Sequence, residues 1–133
     1  MGRRELYPLA YSPTIEREAL RTIDLVNQLL QSAQADGVTL ERNPKTGTIV
    51  SSGWRPPEVN AATAGAAPRS HHMTGRAIDV FDPDGDLDDW LMTDLGQSEL
   101  TRIGLWMEHP ACTKSWSHLQ TVPPRSGKRV FWP

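Results

Sequence analysis

Ser70-His71-His72-Met73-Thr74-Gly75-Arg76-Ala77-Ile78-Asp79 carries a polar loop into the start of a strand. His72 and Asp79 stand seven residues apart, with Gly75 between them and the small Ala77 close before the carboxylate. Gly75 permits a tight backbone turn between the two. Residues 76–82 include the β-branched Ile78 and Val80 and read as a strand. Alternation then puts Ala77, Asp79 and Phe81 on one face and Ile78 and Val80 on the other. The apolar pair suits a core, and the first face carries Asp79 into a cleft.

Upstream of the loop the pattern is helical. Ser12-Pro13 is a helix start, with Ser as N-cap and Pro at the first helical position. Ile15, Ala19, Ile23, Val26, Leu30 and Ala33 then recur at helical steps, an apolar stripe on a helix of roughly 20 residues that Gly37 ends. Asn43-Pro44-Lys45-Thr46-Gly47 is a turn cluster. Residues 48–54 read as a strand closed by Arg55-Pro56-Pro57, and the Ala-rich stretch 58–67 as a short helix.

Downstream, Asp82-Pro83-Asp84-Gly85-Asp86 is a polar turn leading into a helix from Leu87. Its alternating Asp residues suggest a calcium loop, but the Gly comes too early and no Glu stands at the twelfth position; a turn with an Asp N-cap is expected instead. Helical segments follow to Ile103, and residues 104–108 and 118–122 read as further strands. On the last of these, His118 and Gln120 share a face. Helices come first and strands cluster later, so the expected fold is α+β. It would be a small antiparallel sheet with an N-terminal helix, short flanking helices and a cleft on the sheet.

The chain's 133 residues fit a single domain spanning 1–133. A net charge of -2 and a pI of about 6.1 give no global attraction to nucleic acid or to an anionic membrane. No apolar run spans a bilayer. Met1-Gly2 invites a myristoylation reading that Leu6 defeats, and no apolar segment of a signal peptide follows the basic N-terminus, so synthesis in the cytoplasm is expected. Cys112 is the only cysteine, which excludes an internal disulfide and is expected as a small buried hydrophobe. Of the five tryptophans, Trp54, Trp106, Trp116 and Trp132 flank the motif segments. Core and lid packing is the simpler reading of them, a pocket wall the sharper one. The basic run through Arg125, Lys128 and Arg129 reads as a solvated loop or as a lip that attracts an acidic peptide.

His72, Asp79 and His118 make a three-ligand set. Such a set leaves the fourth tetrahedral position open, as a catalytic zinc requires, whereas a structural zinc is closed by four protein ligands. Spacing alone leaves a second reading standing, in which the stretch is a polar loop and Ser70 a hydrogen-bonding turn residue.

Ser70, His72, Gly75, Ala77 and Asp79 match, position for position, the SxHxxGxAxD signature of the zinc D-Ala-D-Ala peptidases. That family holds D,D-carboxypeptidases, the vancomycin-resistance dipeptidase and phage endolysins that cut L-Ala-D-Glu bonds. Gly53-Trp54-Arg55-Pro56 resembles its upstream Gly-aromatic-Arg segment, and Trp116-Ser117-His118 resembles its C-terminal segment, where the last ligand lies close to a Trp. The resemblance covers roughly residues 48–120. It implies an α+β zinc hydrolase acting on D-residue peptides, typically of peptidoglycan, with Zn2+ on His72, Asp79 and His118 and Arg55 as transition-state clamp. Ser70, His71, Trp116 and Gln120 are expected to face the substrate.

One position departs from the family. Three residues before the last His the family carries an acid, its general base, and here Ser115 stands there. A serine cannot take the proton a carboxylate would. Glu108 from the neighbouring strand is the first replacement, His109 the second, and a chain that holds zinc without catalysis the third. The leading expectation is a monomeric zinc peptidase of peptidoglycan, phage-encoded and released or virion-associated. Its rivals are a non-catalytic zinc module that binds cell wall or builds a phage particle, and a metal-free structural domain.

Overall fold

A computed structural model describes residues 2–133; Met1, the first residue of the basic N-terminal stretch, lies outside them. A short helix α1 (Arg3–Leu6) precedes the long helix α2 (Pro13–Ala35). Ser12 caps α2 by accepting the Ile15 N–H, with Pro13 at the first helical position. The buried face of α2 is Thr22, Val26, Leu29, Leu30 and Ala33. The expected stripe is thus rotated in its first half: Ile23 is 45% exposed, and Thr22 faces inward in its place. The reason is the motif loop, which packs on the N-terminal half of α2. Thr22 Oγ1 donates to Gly75 O at 2.8 Å, a bond that Ile23 could not make.

The sheet order is β1 (Val50–Ser52), β2 (Ala77–Phe81), β4 (Trp116–Gln120), β3 (Trp106–Glu108) and β5 (Val130–Phe131). All neighbours run antiparallel except β3 and β5, which are parallel. The architecture is α+β, with its core between α2, the helices α4 (Asp86–Leu91) and α5 (Asp94–Ile103), and one face of the sheet. Val26, Leu29, Leu30, Ile78, Val80, Leu119 and Met107 meet there. Burial of such side chains is the main stabilising term for a chain this small. Among the described residues no helix is long and apolar enough to cross a membrane.

Several element bounds differ from expectation for local reasons. β1 is shorter than 48–54 because the Thr46 and Thr48 hydroxyls take Val50 O, and the register with β2 shifts between Val50 and Ser52. The helix expected over 58–67 is α3 (Pro57–Ala62), stopped at Thr63 before Gly65 turns with φ 73°. β4 starts two residues earlier than expected, because Trp116 pairs with Phe81. It ends at Gln120, whose side-chain amide folds onto Val122 O.

The acidic turn also resolves differently. Gly85, not an Asp, is the N-cap of α4, but Asp82 reaches past it to accept the Leu87 and Asp88 N–H groups at 3.0 and 2.9 Å. The capping expected of an Asp is therefore performed from three residues before the cap. Asp82 and Asp88 are buried beside Ser117, which donates to Asp88 Oδ1 at 2.7 Å. Burial pushes the Asp88 carboxyl up to about 6; Ser117 opposes the rise and the neighbouring Asp82 charge adds to it.

Three composition-level expectations change as well. Core packing by the motif tryptophans fails: Trp54, Trp106 and Trp116 are only half-buried and Trp132 is 64% exposed, while Trp90 joins the core. Trp106 and Trp116 alternate with the buried Met107 and Ser117, so they lie on the sheet face away from the core. Cys112 is half-buried in a 3-10 turn (Pro110–Cys112) rather than in the core. Arg129 is no solvated loop residue: it donates to Leu105 O at 2.9 Å and lies over the Trp106 ring at 4.4 Å.

Candidate metal centre

The site is built on the sheet face opposite the core. Asp79 and His118 are direct cross-strand partners in the β2–β4 ladder. Their side chains meet because residues facing each other across antiparallel strands are closest neighbours. His72 comes from a 3-10 turn (His71–Thr74) that Ser70 opens, with Ser70 Oγ accepting the His72 N–H at 3.3 Å. Gly75 closes this turn at φ 75°. A Cβ there would lie 2.8 Å from Ile15 O and 2.9 Å from Ala19 N, backbone atoms of α2 that cannot yield. Glycine is thus required twice, for its conformation and for its bulk.

His72 Nε2 lies 3.1 Å and His118 Nδ1 2.9 Å from the same atom, Asp79 Oδ1. The three ligand atoms all fall within 4.8 Å of one another, a group that could hold a metal ion. The far nitrogen of each ring is taken. His72 Nδ1 donates to Gly53 O at 2.8 Å, and His118 Nε2 donates to Gln120 Oε1 at 2.9 Å. Gln120 is fixed in turn, its amide nitrogen donating to Val122 O at 2.7 Å. Outer partners of this kind set the tautomer and orientation of metal-binding imidazoles. The residues present fit a metal: with the outer nitrogen of each ring engaged by the protein, the inward nitrogen is the one left to ligate an ion, and the carboxylate sits between the two rings.

The electrostatics match. Burial would raise the Asp79 carboxyl, but hydrogen bonds from His118 and His72, and their charge, hold it well below the usual carboxylate range. Burial would lower His118, yet its bonds to Asp79 and Gln120 and the nearby Asp79 charge raise it.

Arg55 is 8% exposed and follows β1. Its backbone N–H donates to His72 O at 3.0 Å, which locks it to the motif turn. Its guanidinium reaches only Ser70 Oγ, at 3.5 Å, and Nε is buried with no partner among the described residues. Burial lowers its pKa and the Asp79 charge opposes that.

Glu108 ends β3. With Trp106 opposite Gln120 and Met107 opposite Leu119, alternation puts Glu108 on the site face beside His118. It is half-buried, and burial raises its carboxyl; His118 draws it down and Asp79 pushes it further up. His109 is turned elsewhere: its ring stacks on Trp132 at 4.0 Å, and Nδ1 accepts the Ala111 N–H. Ser115 adopts φ 72°, unusual for a non-glycine residue, with its carbonyl accepting the Asp82 N–H.

Of the residues expected around a substrate, Ser70 caps the motif turn and Gln120 is 4% exposed with both amide ends engaged within the protein. Trp116 and His71 are half-buried, flanking the cluster from β4 and from the turn. Burial, followed by the His118 charge, lowers the His71 pKa. Two participants had no signal in the sequence. The Gly53 carbonyl that holds His72 is a backbone group, and only the fold shows where it points. Arg3 donates to Trp54 O at 2.7 Å across 51 residues of chain, holding the backbone that leads into Arg55.

Neither the curated proteins nor the solved structures yield a match to this chain. The protein-family comparison does: the model described as Peptidase M15 matches residues 17–118, an interval that contains His72, Asp79, His118, Arg55 and Glu108. With that match covering well over half of the sequence, the chain belongs to the peptidase M15 family.

Proposed function

We propose that this chain is a zinc metallopeptidase that hydrolyses a peptide bond of peptidoglycan or of a related peptide containing D-amino acids. The observation that carries the reading is the convergence of His72 Nε2 and His118 Nδ1 on Asp79 Oδ1, with the outer nitrogen of each ring already hydrogen-bonded. The family contributes the reaction class.

In this reading His72, Asp79 and His118 hold the zinc. Bound there, zinc supplies a Lewis acid that polarises the scissile carbonyl and brings water's pKa close to neutrality. Gly53 and Gln120 keep the two imidazoles in the ligating tautomer. Glu108, its carboxyl raised by burial, takes the proton of the attacking water and returns it to the leaving amine. Arg55 holds the oxygen that gains negative charge as the carbonyl is attacked, using donors the protein leaves largely unengaged. Trp116 and His71 line the approach of the peptide.

The second reading, a zinc module that binds cell-wall peptide without cutting it, draws on Ser115. It stands where the family's acid would be, on a left-handed backbone. Mass spectrometry of the soluble products from purified peptidoglycan, with and without a chelator, separates the two. Chelator-sensitive fragments that vanish with Glu108→Ala while one zinc per chain is retained support the peptidase with Glu108 as base. Retained zinc without fragments from the unaltered chain supports the module.

A further inference from the structure

Glu108 stands at a weakly paired end of the sheet. The β3–β4 ladder joins Trp106 to Gln120 and Met107 to Leu119 and stops there. Among the described residues the one register partner of Glu108 is Phe131, on the parallel strand β5. This end of β3 is therefore held by residues 129–132, which lie beyond residues 17–118 matched by the family model.

The hold is made by both main chain and side chains. Arg129 O accepts the Met107 N–H at 2.9 Å and Phe131 O accepts the His109 N–H at 2.8 Å, so Glu108 has a bond on each side. Arg129 Nη1 donates to Leu105 O at 2.9 Å, and its guanidinium lies over the Trp106 ring at 4.4 Å. Trp132 stacks on His109, with ring centres 4.0 Å and planes 14° apart. A strand end with few ladder bonds opens easily unless such contacts tie it down.

Phe131 adds a wall. It is 9% exposed, yet it stands outside the core cluster against which its neighbour Val130 packs. Alternation turns it to the metal face, and there its ring meets the His118 ring at 6.2 Å, almost perpendicular. Register partners put their side chains on one face, with backbones about 4.8 Å apart. The Phe131 ring thus flanks the half-buried Glu108.

We propose that residues 129–132 are a strap that positions the Glu108 carboxylate at the metal centre, with Arg129 and Trp132 as positioning residues remote from the reacting atoms. This rests on the peptidase reading, in which Glu108 is the general base. It names the element that steadies a base placed on β3 in a chain whose position 115 is serine.

The full chain is compared with Arg129→Ala, Arg129→Lys and Trp132→Ala. Trp132 is 64% exposed, so its truncation carries the test even where Arg129→Ala does not fold. Amide hydrogen exchange at Met107 and His109, zinc affinity by chelator competition, and kcat and KM of the zinc-loaded chains on soluble peptidoglycan fragments are measured. In Arg129→Ala and Trp132→Ala both amides should exchange about tenfold faster. Each of these variants should lose about tenfold in kcat with KM unchanged, because a displaced base is missed in the transition state and not in substrate binding. Zinc affinity should equal that of the parent. Arg129→Lys, which keeps the charge over Trp106, should recover part of kcat. Unaltered exchange, faster exchange with kcat unchanged, or a fall in zinc affinity that accounts for the lost rate overturns the strap and leaves the peptidase reading standing. A zinc-loaded parent chain that releases no fragments overturns the peptidase reading, and the role of the strap with it.

Discussion

Strands β2 and β4 carry two buried carboxylate clusters, one on the open face of the sheet and one at the strand ends towards the helices. In the first, Asp79 lies between His72 and His118. In the second, Asp82 and Asp88 share the Ser117 hydroxyl, and Asp82 alone accepts two backbone N–H groups. Burial acts on Asp79 and Asp88 in the same direction, yet Asp79 is held low while Asp88 is driven up to about 6. The difference lies in the partners. Imidazoles can carry positive charge and hold the carboxylate ionised, whereas the Ser117 hydroxyl only partly offsets the rise that burial and a second carboxylate cause. One cluster is thus prepared for a cation, and the other caps α4 and ties it to the sheet.

The contrast can be broken most severely at Asp79. Asp79→Asn keeps the shape but removes the charge and one ligand, so zinc affinity should fall by more than about 100-fold, beyond the usual loss for an outer partner. Circular dichroism should remain unchanged, since the core is on the other face. Gln120→Leu probes the support of the same cluster: it releases His118 Nε2 without touching a ligand. A loss of about 10- to 100-fold in zinc affinity is expected, measured by chelator competition.

The smallest effect belongs to the second cluster. Asp88 has a folded pKa of about 6 against an ordinary 3.8, so the folded chain binds more protons in that interval. Its contribution therefore favours folding at low pH and is lost as pH rises from about 4 through about 6. Asp88→Asn keeps an acceptor for Ser117 and should flatten that part of the profile. Urea midpoints of parent and variant across this range, both under chelator, check the sign.

The two clusters were not equally legible in the sequence. His72, Asp79 and His118 are picked out by the resemblance to the family's motif segments, with strand alternation carrying Asp79 into the cleft, and α2 follows from its cap and apolar period. Those signals are local or periodic, so they survive without knowledge of the fold. The Asp82 contacts exceed the simple Asp N-cap that the turn predicts, because the side chain bypasses Gly85 and also meets a distant strand. The inward turn of Thr22 depends on the Gly75 carbonyl 53 residues away. Strand bounds shifted wherever a side chain competed with the ladder, as Thr46 and Thr48 do at β1 and Gln120 does at β4. Arg3 carries no periodic signal, and its bond to Trp54 O follows only from where α1 docks.

The central claim is the metal centre with its particular ligand atoms. A crystal of the zinc-soaked chain, examined by anomalous diffraction on both sides of the zinc edge, tests it directly. The account predicts one peak bounded by His72 Nε2, His118 Nδ1 and the Asp79 carboxylate, with Gly53 O and Gln120 still holding the outer ring nitrogens. No peak among these three residues, or a zinc bound through His118 Nε2 with Gln120 displaced, would contradict it.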